Sequence, residues 1–198
     1  VINEIALSQN KKARIALRIN PNIDAKTHKH IATGTEKTKF GIFMGNLQEA
    51  IDTVHKSEAL SLIGMHFHIG SQILDLSTYV DLCERINSIQ SELEKQGISV
   101  PIINVGGGLG VDYLNPEANP IADFKSYFEI FHQHLKLRPD QELHFELGRS
   151  ITASCGALIS RVLYVKESAG TKFLILDAGM SSFMRPLLYD AYHKISNL

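Results

Sequence analysis

Four short apolar runs, each separated from the next by a segment of helical period, constrain this chain more than any other feature. The runs are ARIALRIN (13–20), LIGMHFHIG (62–70), PIINVGGGLG (101–110) and ELHFELG (142–148). Pro21 closes the first and glycines close the other three. Runs that are nearly all apolar, rather than alternating with polar residues, are typical of strands covered on both faces, as in parallel sheets. The intervening segments carry helix signals. Asn46 with Glu49 three residues later is a capping-box start for a helix over 47–57. Ser77 opens a long helix with Val80, Leu82, Ile86, Ile89 and Leu93 at helical spacing, and Gly97 ends it as a C-terminal cap. After a polar stretch from 115 to 123, Phe124, Phe128, Phe131 and Leu135 mark a third helix. Strand and helix in alternation predict a parallel sheet with both faces covered.

Past residue 150 the texture changes. ALISRVLYVKES, then AGT, then KFLILDAG reads as strand, turn, strand, the pattern of an antiparallel β unit. A domain boundary is therefore expected near 150, dividing the chain into 1–150 and 151–198. Val1 to Leu7 reads as the middle of an amphipathic helix without an N-cap, so the chain is expected to be a piece of something longer.

Charge narrows the partners. Twenty Lys and Arg face 21 Asp and Glu, a net charge of -1, which provides no basic footprint for nucleic acid and no polybasic membrane anchor. No apolar run is long enough to span a bilayer. Cys83 and Cys155 make neither a disulfide framework nor a CxxC metal pair, so a cytoplasmic location is expected. Small molecules or other protein are the expected partners.

In parallel α/β folds the ligand sits at the carboxyl ends of the strands. Those ends carry His66 and His68, then Gly106, Gly107, Gly108 and Gly110, then His144, Glu146, Gly148 and Arg149. Side chains two apart on a strand share a face, so His66 pairs with His68 and His144 with Glu146. The glycine cluster reads either as a tight strand-to-helix turn or as a phosphate cradle. Ser71 adds a hydroxyl and Arg149 a fixed cation. Two functional readings follow. The HxH strand could hold zinc, as in metal-dependent barrel hydrolases. That leaves the glycines and Gly148-Arg149 without a task, whereas a phosphate-bearing aromatic cofactor uses both.

LRINP, TGTEKTKFGI, GMHFHIGSQ, INVGGGLG, ELGR and DAGMSSFMRPLLYDAYH, in this order, resemble the diaminopimelate decarboxylase family of pyridoxal-phosphate enzymes. The resemblance runs from about residue 13 to the end. It implies an α/β fold: the second half of a (β/α)8 TIM-type barrel, followed by the start of a C-terminal β domain. It also implies pyridoxal 5'-phosphate as cofactor and meso-diaminopimelate as substrate, L-lysine being the product. Glu146 would face the ring nitrogen and His68 would stack on the ring. Ser71, Gly107, Gly108, Leu147, Gly148 and Arg149 would form the phosphate cup. Arg149, Arg185 and Tyr189 would bind the substrate. His66 lies one pleat deeper, with a structural hydrogen bond and a cofactor contact both open, and Asp177 and Arg18 could support the site. No metal is implied.

The family usually has proline where this chain has Leu147, which makes that turn less rigid. Nothing here resembles the family's Tyr-Ala-x-Lys strand, whose lysine bonds the cofactor, nor its Cys-Glu segment; both are expected outside these residues. The parent protein is expected to be a homodimer whose site is completed across the interface. Decarboxylation of another basic amino acid, such as ornithine, arginine or carboxynorspermidine, is the alternative within the class. A metal-dependent hydrolase, or a binding domain that has lost its lysine, are the alternatives outside it.

Overall fold

The computed structural model describes residues 1–23 and 39–197. The motif residues 33–38 of TGTEKTKFGI thus lie outside the described residues. The elements in chain order are α1 (Ile2–Ser8), β1 (Ala13–Asn20), β2 (Ile42–Phe43), α2 (Leu47–His55), β3 (Leu60–His66), α3 (Ser77–Lys95), β4 (Ile102–Asn104), α4 (Phe124–His134), β5 (Glu142–His144), α5 (Arg149–Thr152), β6 (Val162–Ser168), β7 (Thr171–Leu176) and α6 (Arg185–Tyr189).

β2-β1-β3-β4-β5 form one parallel sheet. From β1 through β3 and β4 to β5 the spatial order follows the chain order with no reversal. Right-handed crossovers then put every connecting helix on the same face. A doubly wound sheet needs a reversal, so this is an arc of a (β/α)8 barrel.

The helix-covered face is the core. Ile19, Met65, Phe67, Ile103 and Val105 pack with Ile51 of α2, with Tyr79, Leu82, Ile86 and Ile89 of α3, and with Tyr127 and Phe131 of α4. The expected period of α3 is borne out, and its end is a Schellman turn. The Gly97 N–H bonds Glu94 C=O and the Ile98 N–H bonds Leu93 C=O, both at 2.9 Å. The Tyr79 and Tyr127 rings meet edge to face at 4.9 Å between centroids.

The opposite face departs from the expectation that both would be covered: no helix of the described residues lies on it. Register places Arg18, His66, Asn104 and His144 in one row across four strands, on the face opposite Ile19, Met65 and Ile103. A row of charged and amide groups suits the interior mouth of a barrel rather than a packed core.

Local expectations fail at three places. Asn46 makes no side-chain cap at α2. It ends a 3-10 turn, Met44–Asn46, with φ -104° and ψ 0°, outside the extended conformation from which a cap side chain reaches back. The last three apolar runs form shorter ladders than expected, because the glycines and the turn at Glu146 leave extended geometry. The short elements β2, α5 and α6 carry too few residues for any period to show.

β6 and β7 pair antiparallel as expected, through a two-residue turn in which Ala169 and Gly170 have φ of 48° and 78°. All of their residues are exposed, Leu163, Tyr164, Phe173 and Leu174 among them.

The Tyr127 hydroxyl is buried with no hydrogen-bond partner, while its ring contacts Tyr79, Phe131 and Phe145. Removing an unsatisfied buried hydroxyl relieves a desolvation cost. Tyr127→Phe is therefore expected to stabilise the protein by about 1 kcal/mol in urea unfolding, and Tyr127→Ala to destabilise it by about 3–5 kcal/mol. A loss on Tyr127→Phe would instead mean that a buried water holds the hydroxyl.

Candidate active site

Three strand ends converge through glycine. A Cβ built on Gly107 would lie 2.1 Å from the Glu146 carbonyl oxygen, and one on Gly106 2.3 Å from that of Phe67. Gly106 also has φ of +71°. Any side chain at either position would drive the ends of β3, β4 and β5 apart. The tight-turn reading of these glycines and the site reading are thus one: the turn is what brings the chemistry together.

The polar groups at this junction are mutually braced. The Asn104 Nδ2 donates to Glu146 Oε1 at 2.9 Å, while its Oδ1 accepts from the Gly106 N–H at 2.9 Å. The second bond settles which end of the amide is oxygen, so the carboxylate receives a donor. The Glu146 N–H in turn bonds the Gly106 carbonyl at 2.7 Å. The second carboxylate oxygen, Oε2, lies 3.4 Å from His66 Nε2, which has no hydrogen-bond partner. His66 therefore stands close to the carboxylate without an aligned hydrogen bond to it.

His68 is neutral at pH 7. Burial is the largest influence lowering its pKa from 6.5; Arg18 and His66 lower it further, against the opposing pull of Glu146. Geometry agrees, since Nδ1 accepts from the Gly107 N–H at 3.3 Å and therefore carries no proton.

A second group lies along the same mouth. Gln72, with φ of 59°, clasps the backbone of Val111 with both ends of its amide, at 2.7 and 3.3 Å. Its Oε1 also accepts from Arg149 Nη1 at 3.1 Å. Arg185 donates from Nη1 to the Tyr113 hydroxyl at 2.7 Å, and its guanidinium carbon lies 5.0 Å from the centre of that ring. His193 packs edge-on against Tyr113 and Phe183. Arg149 and Arg185 are close enough to repel: after burial, Arg185 is the largest influence lowering the Arg149 pKa, while Tyr113 and Tyr189 oppose it. Among the described residues neither guanidinium has a carboxylate at ion-pairing distance. Two cations without an acidic partner make a site for an anion.

The expected residues thus fall into two joined groups, one around His66, His68, Gly107 and Glu146, the other around Arg149, Arg185 and Tyr189. Ser71 and Gly108 lie where the loops after β3 and β4 are laced together, Ile73 N–H bonding Gly108 C=O at 2.9 Å. At Gly148 an added Cβ would meet nothing within 4 Å, so this turn opens to space, whereas Leu147 packs against the core. His144 turns to Glu142, 3.0 Å away, and not to Glu146, because both lie exposed on β5 while Glu146 is engaged by Asn104. Asp177 accepts from Ser160 Oγ and the Arg161 N–H, tying the residues before β6 to the end of β7. Arg18 stays in the row, over the Phe40 ring at 5.2 Å. Asn104, Gln72, Tyr113 and His193 were not singled out by sequence. Asn104 alone had a local signal, standing two residues before Gly106 on the histidine-bearing face.

The family described as "pyridoxal-dependent decarboxylase, pyridoxal binding domain" matches residues 2–153. The chain belongs to this family. Among relatives of this chain, the diaminopimelate decarboxylase of Bacteroides thetaiotaomicron is 53% identical over 198 residues, which is 100% of this chain and 51% of that protein. A Helicobacter pylori diaminopimelate decarboxylase is 43% identical over 194 residues, 98% of this chain and 47% of its own. The crystal structure of diaminopimelate decarboxylase from Helicobacter pylori complexed with L-lysine superposes with a TM-score of 0.88 at 42% identity, covering 98% of this chain and 48% of that one. The chain spans about half the length of the curated relatives it matches.

The residues present fit the family's cofactor. Glu146 is a carboxylate held by one oxygen, His68 is an uncharged imidazole, and Arg149 beside the open turn at Gly148 supplies a cation for a phosphate. Among the described residues no three His, Cys, Asp or Glu side chains are grouped to hold an ion.

Two measurements check this geometry. The His68 imidazole is expected to titrate below 6.5 by 15N NMR. Because the unfolded chain then binds its proton more readily, folded stability falls as pH drops below 6.5, and His68→Gln removes that contribution. Gly107→Ala is expected to destabilise the protein by several kcal/mol in urea unfolding, on the order of the overpacking penalties seen in close-packed sites.

Proposed function

We propose that this chain is part of a diaminopimelate decarboxylase, releasing carbon dioxide from meso-2,6-diaminopimelate to leave L-lysine, with pyridoxal 5'-phosphate as cofactor. One observation carries the reading: a carboxylate braced by Asn104 in the same site as two guanidiniums that have no acidic partner among the described residues. Identity of 53% to a relative of that name supports the choice within the family.

Bound pyridoxal phosphate supplies an electron sink, its protonated ring taking up the electron pair freed by loss of carbon dioxide. Glu146, braced by Asn104, would hold the ring nitrogen in its protonated form. His68, whose burial favours the uncharged imidazole, would lie against the ring without adding a charge that competes for those electrons. Ser71, Gly107, Gly108, Leu147, Gly148 and Arg149 form the phosphate cup. Gly107 serves it by lacking a side chain, its N–H being directed at His68. Arg149, Arg185 and Tyr189 bind substrate, with Arg185 gripping the carboxylate at the end that does not react; a planar guanidinium recognises such a group in a fixed orientation.

Residues 1–150 serve as the C-terminal half of the barrel and 151–198 as the first strands of a C-terminal β domain. The family match ending at 153 and the change to antiparallel pairing after it support this division. The parent protein is a cytoplasmic homodimer with the site completed across the interface. Two unpaired cysteines fit that compartment, and no described helix is long and apolar enough to cross a membrane.

The complete protein assayed on meso-diaminopimelate, ornithine, arginine and carboxynorspermidine tests the reading. Turnover of diaminopimelate alone is expected; ornithine turnover without diaminopimelate turnover overturns it. Glu146→Gln is expected to keep the cofactor bound and to lower kcat by about 10²–10³-fold, the scale of losing one electrostatic or proton-holding group.

A further inference from the structure

Tyr113 is placed as no ordinary loop tyrosine would need to be. It follows the glycine turn after β4, yet meets Arg185 from the far end of the chain, 72 residues on. The guanidinium both donates to its hydroxyl at 2.7 Å and lies over its ring, 5.0 Å from the centroid. His193 supports the other side of the ring at 4.6 Å between centroids. Arg185 is thereby held at two points of one side chain, the hydroxyl and the ring of Tyr113, although α6 itself is only five residues long and buries none of them.

The hydrogen-bond count at the phenol leaves one group over. Its oxygen accepts from Arg185, so its own hydrogen must be given elsewhere. Among the described residues no acceptor for it lies within hydrogen-bond distance. The Arg185 guanidinium retains further N–H donors, and Arg149 adds a second cation in the same mouth. An O–H beside a guanidinium that pairs with no carboxylate among the described residues is complementary to the two oxygens of an incoming carboxylate.

We propose that Tyr113 is a specificity-determining residue that binds the substrate's non-reacting carboxylate together with Arg185. The phenol fixes the guanidinium from one side and donates its O–H to the same carboxylate. Its place on the glycine turn then ties the distance between cofactor cup and carboxylate grip to a single loop, so a substrate with its carboxylate at another distance, or with none, loses both donors together. This inference rests on the reading of Arg185 as the substrate-gripping arginine.

The test uses the complete, cofactor-loaded enzyme, with L-lysine as the probe, because it keeps the carboxylate that does not react. Tyr113→Phe keeps the ring and removes both the acceptor and the donor. It is expected to weaken L-lysine binding by calorimetry about tenfold or more, the scale of a hydrogen bond to a charged group. The KM for meso-diaminopimelate rises by a similar factor, with kcat, the cofactor's absorption spectrum and the melting temperature little changed. In Tyr113→Phe combined with Arg185→Ala, the loss is expected to be less than the product of the single losses. Unchanged L-lysine affinity in Tyr113→Phe, with a clear loss in Arg185→Ala, overturns this inference alone. Unchanged affinity in Arg185→Ala overturns the assignment of Arg185 on which it stands. A fall in melting temperature with affinity unaltered would mark Tyr113 as purely structural and equally overturn the proposal.

Discussion

The contact on which the rest of the site depends is backbone against backbone, where the turn after β4 slides under the turn after β5. At Gly107 the space for a Cβ is taken by the Glu146 carbonyl, 2.1 Å from where that atom would be. The approach lets Gly106 accept from the Glu146 N–H while its own N–H is held by Asn104, whose other end reaches the Glu146 carboxylate. Each bond alone contributes about 1 kcal/mol. Their value here is geometric, since one glycine turn sets the height of the carboxylate, the face of the His68 ring and the path of the loop that carries Tyr113.

Electrostatically the mouth is divided. At one end a carboxylate stands with an uncharged imidazole nearby, and at the other two guanidiniums repel each other across a space with no acid among the described residues. Clusters of like charge cost stability unless a counter-charge arrives, so the cationic end is suited to bind a ligand's anionic groups. Gln72 and Tyr113 keep the two arginines apart without neutralising them, because each offers an oxygen acceptor and no charge. The division matches a ligand with a cationic ring nitrogen at one end and phosphate or carboxylate at the other.

Much of this was legible before any coordinates. α3 follows its apolar period, buried at Leu82, Ile86, Ile89 and Leu93, because a long amphipathic helix has only one way to cover a sheet. The hairpin β6–β7 could be read from its turn. His68, Gly107, Glu146 and Arg149 could be named as candidates because they sit at strand ends, where local spacing and the resemblance to known decarboxylases agree. The Asn46 cap failed because a 3-10 turn runs into α2 and takes the residue out of the conformation a cap requires. Period says which face His144 is on, and not that its neighbour there is Glu142.

By itself the sequence determined the order of elements, the parallel pairing and the residue types gathered at the strand ends, since these follow from hydrophobic period and turn chemistry within stretches of twenty residues or fewer. Only the tertiary structure decided that the sheet winds in one direction, leaving a polar face uncovered by its own helices. It alone decided that Asn104 rather than His144 meets Glu146, and that Tyr113 meets Arg185. Such contacts join segments up to 72 residues apart. They depend on where two turns come to rest against each other, and no local pattern of side chains encodes that distance.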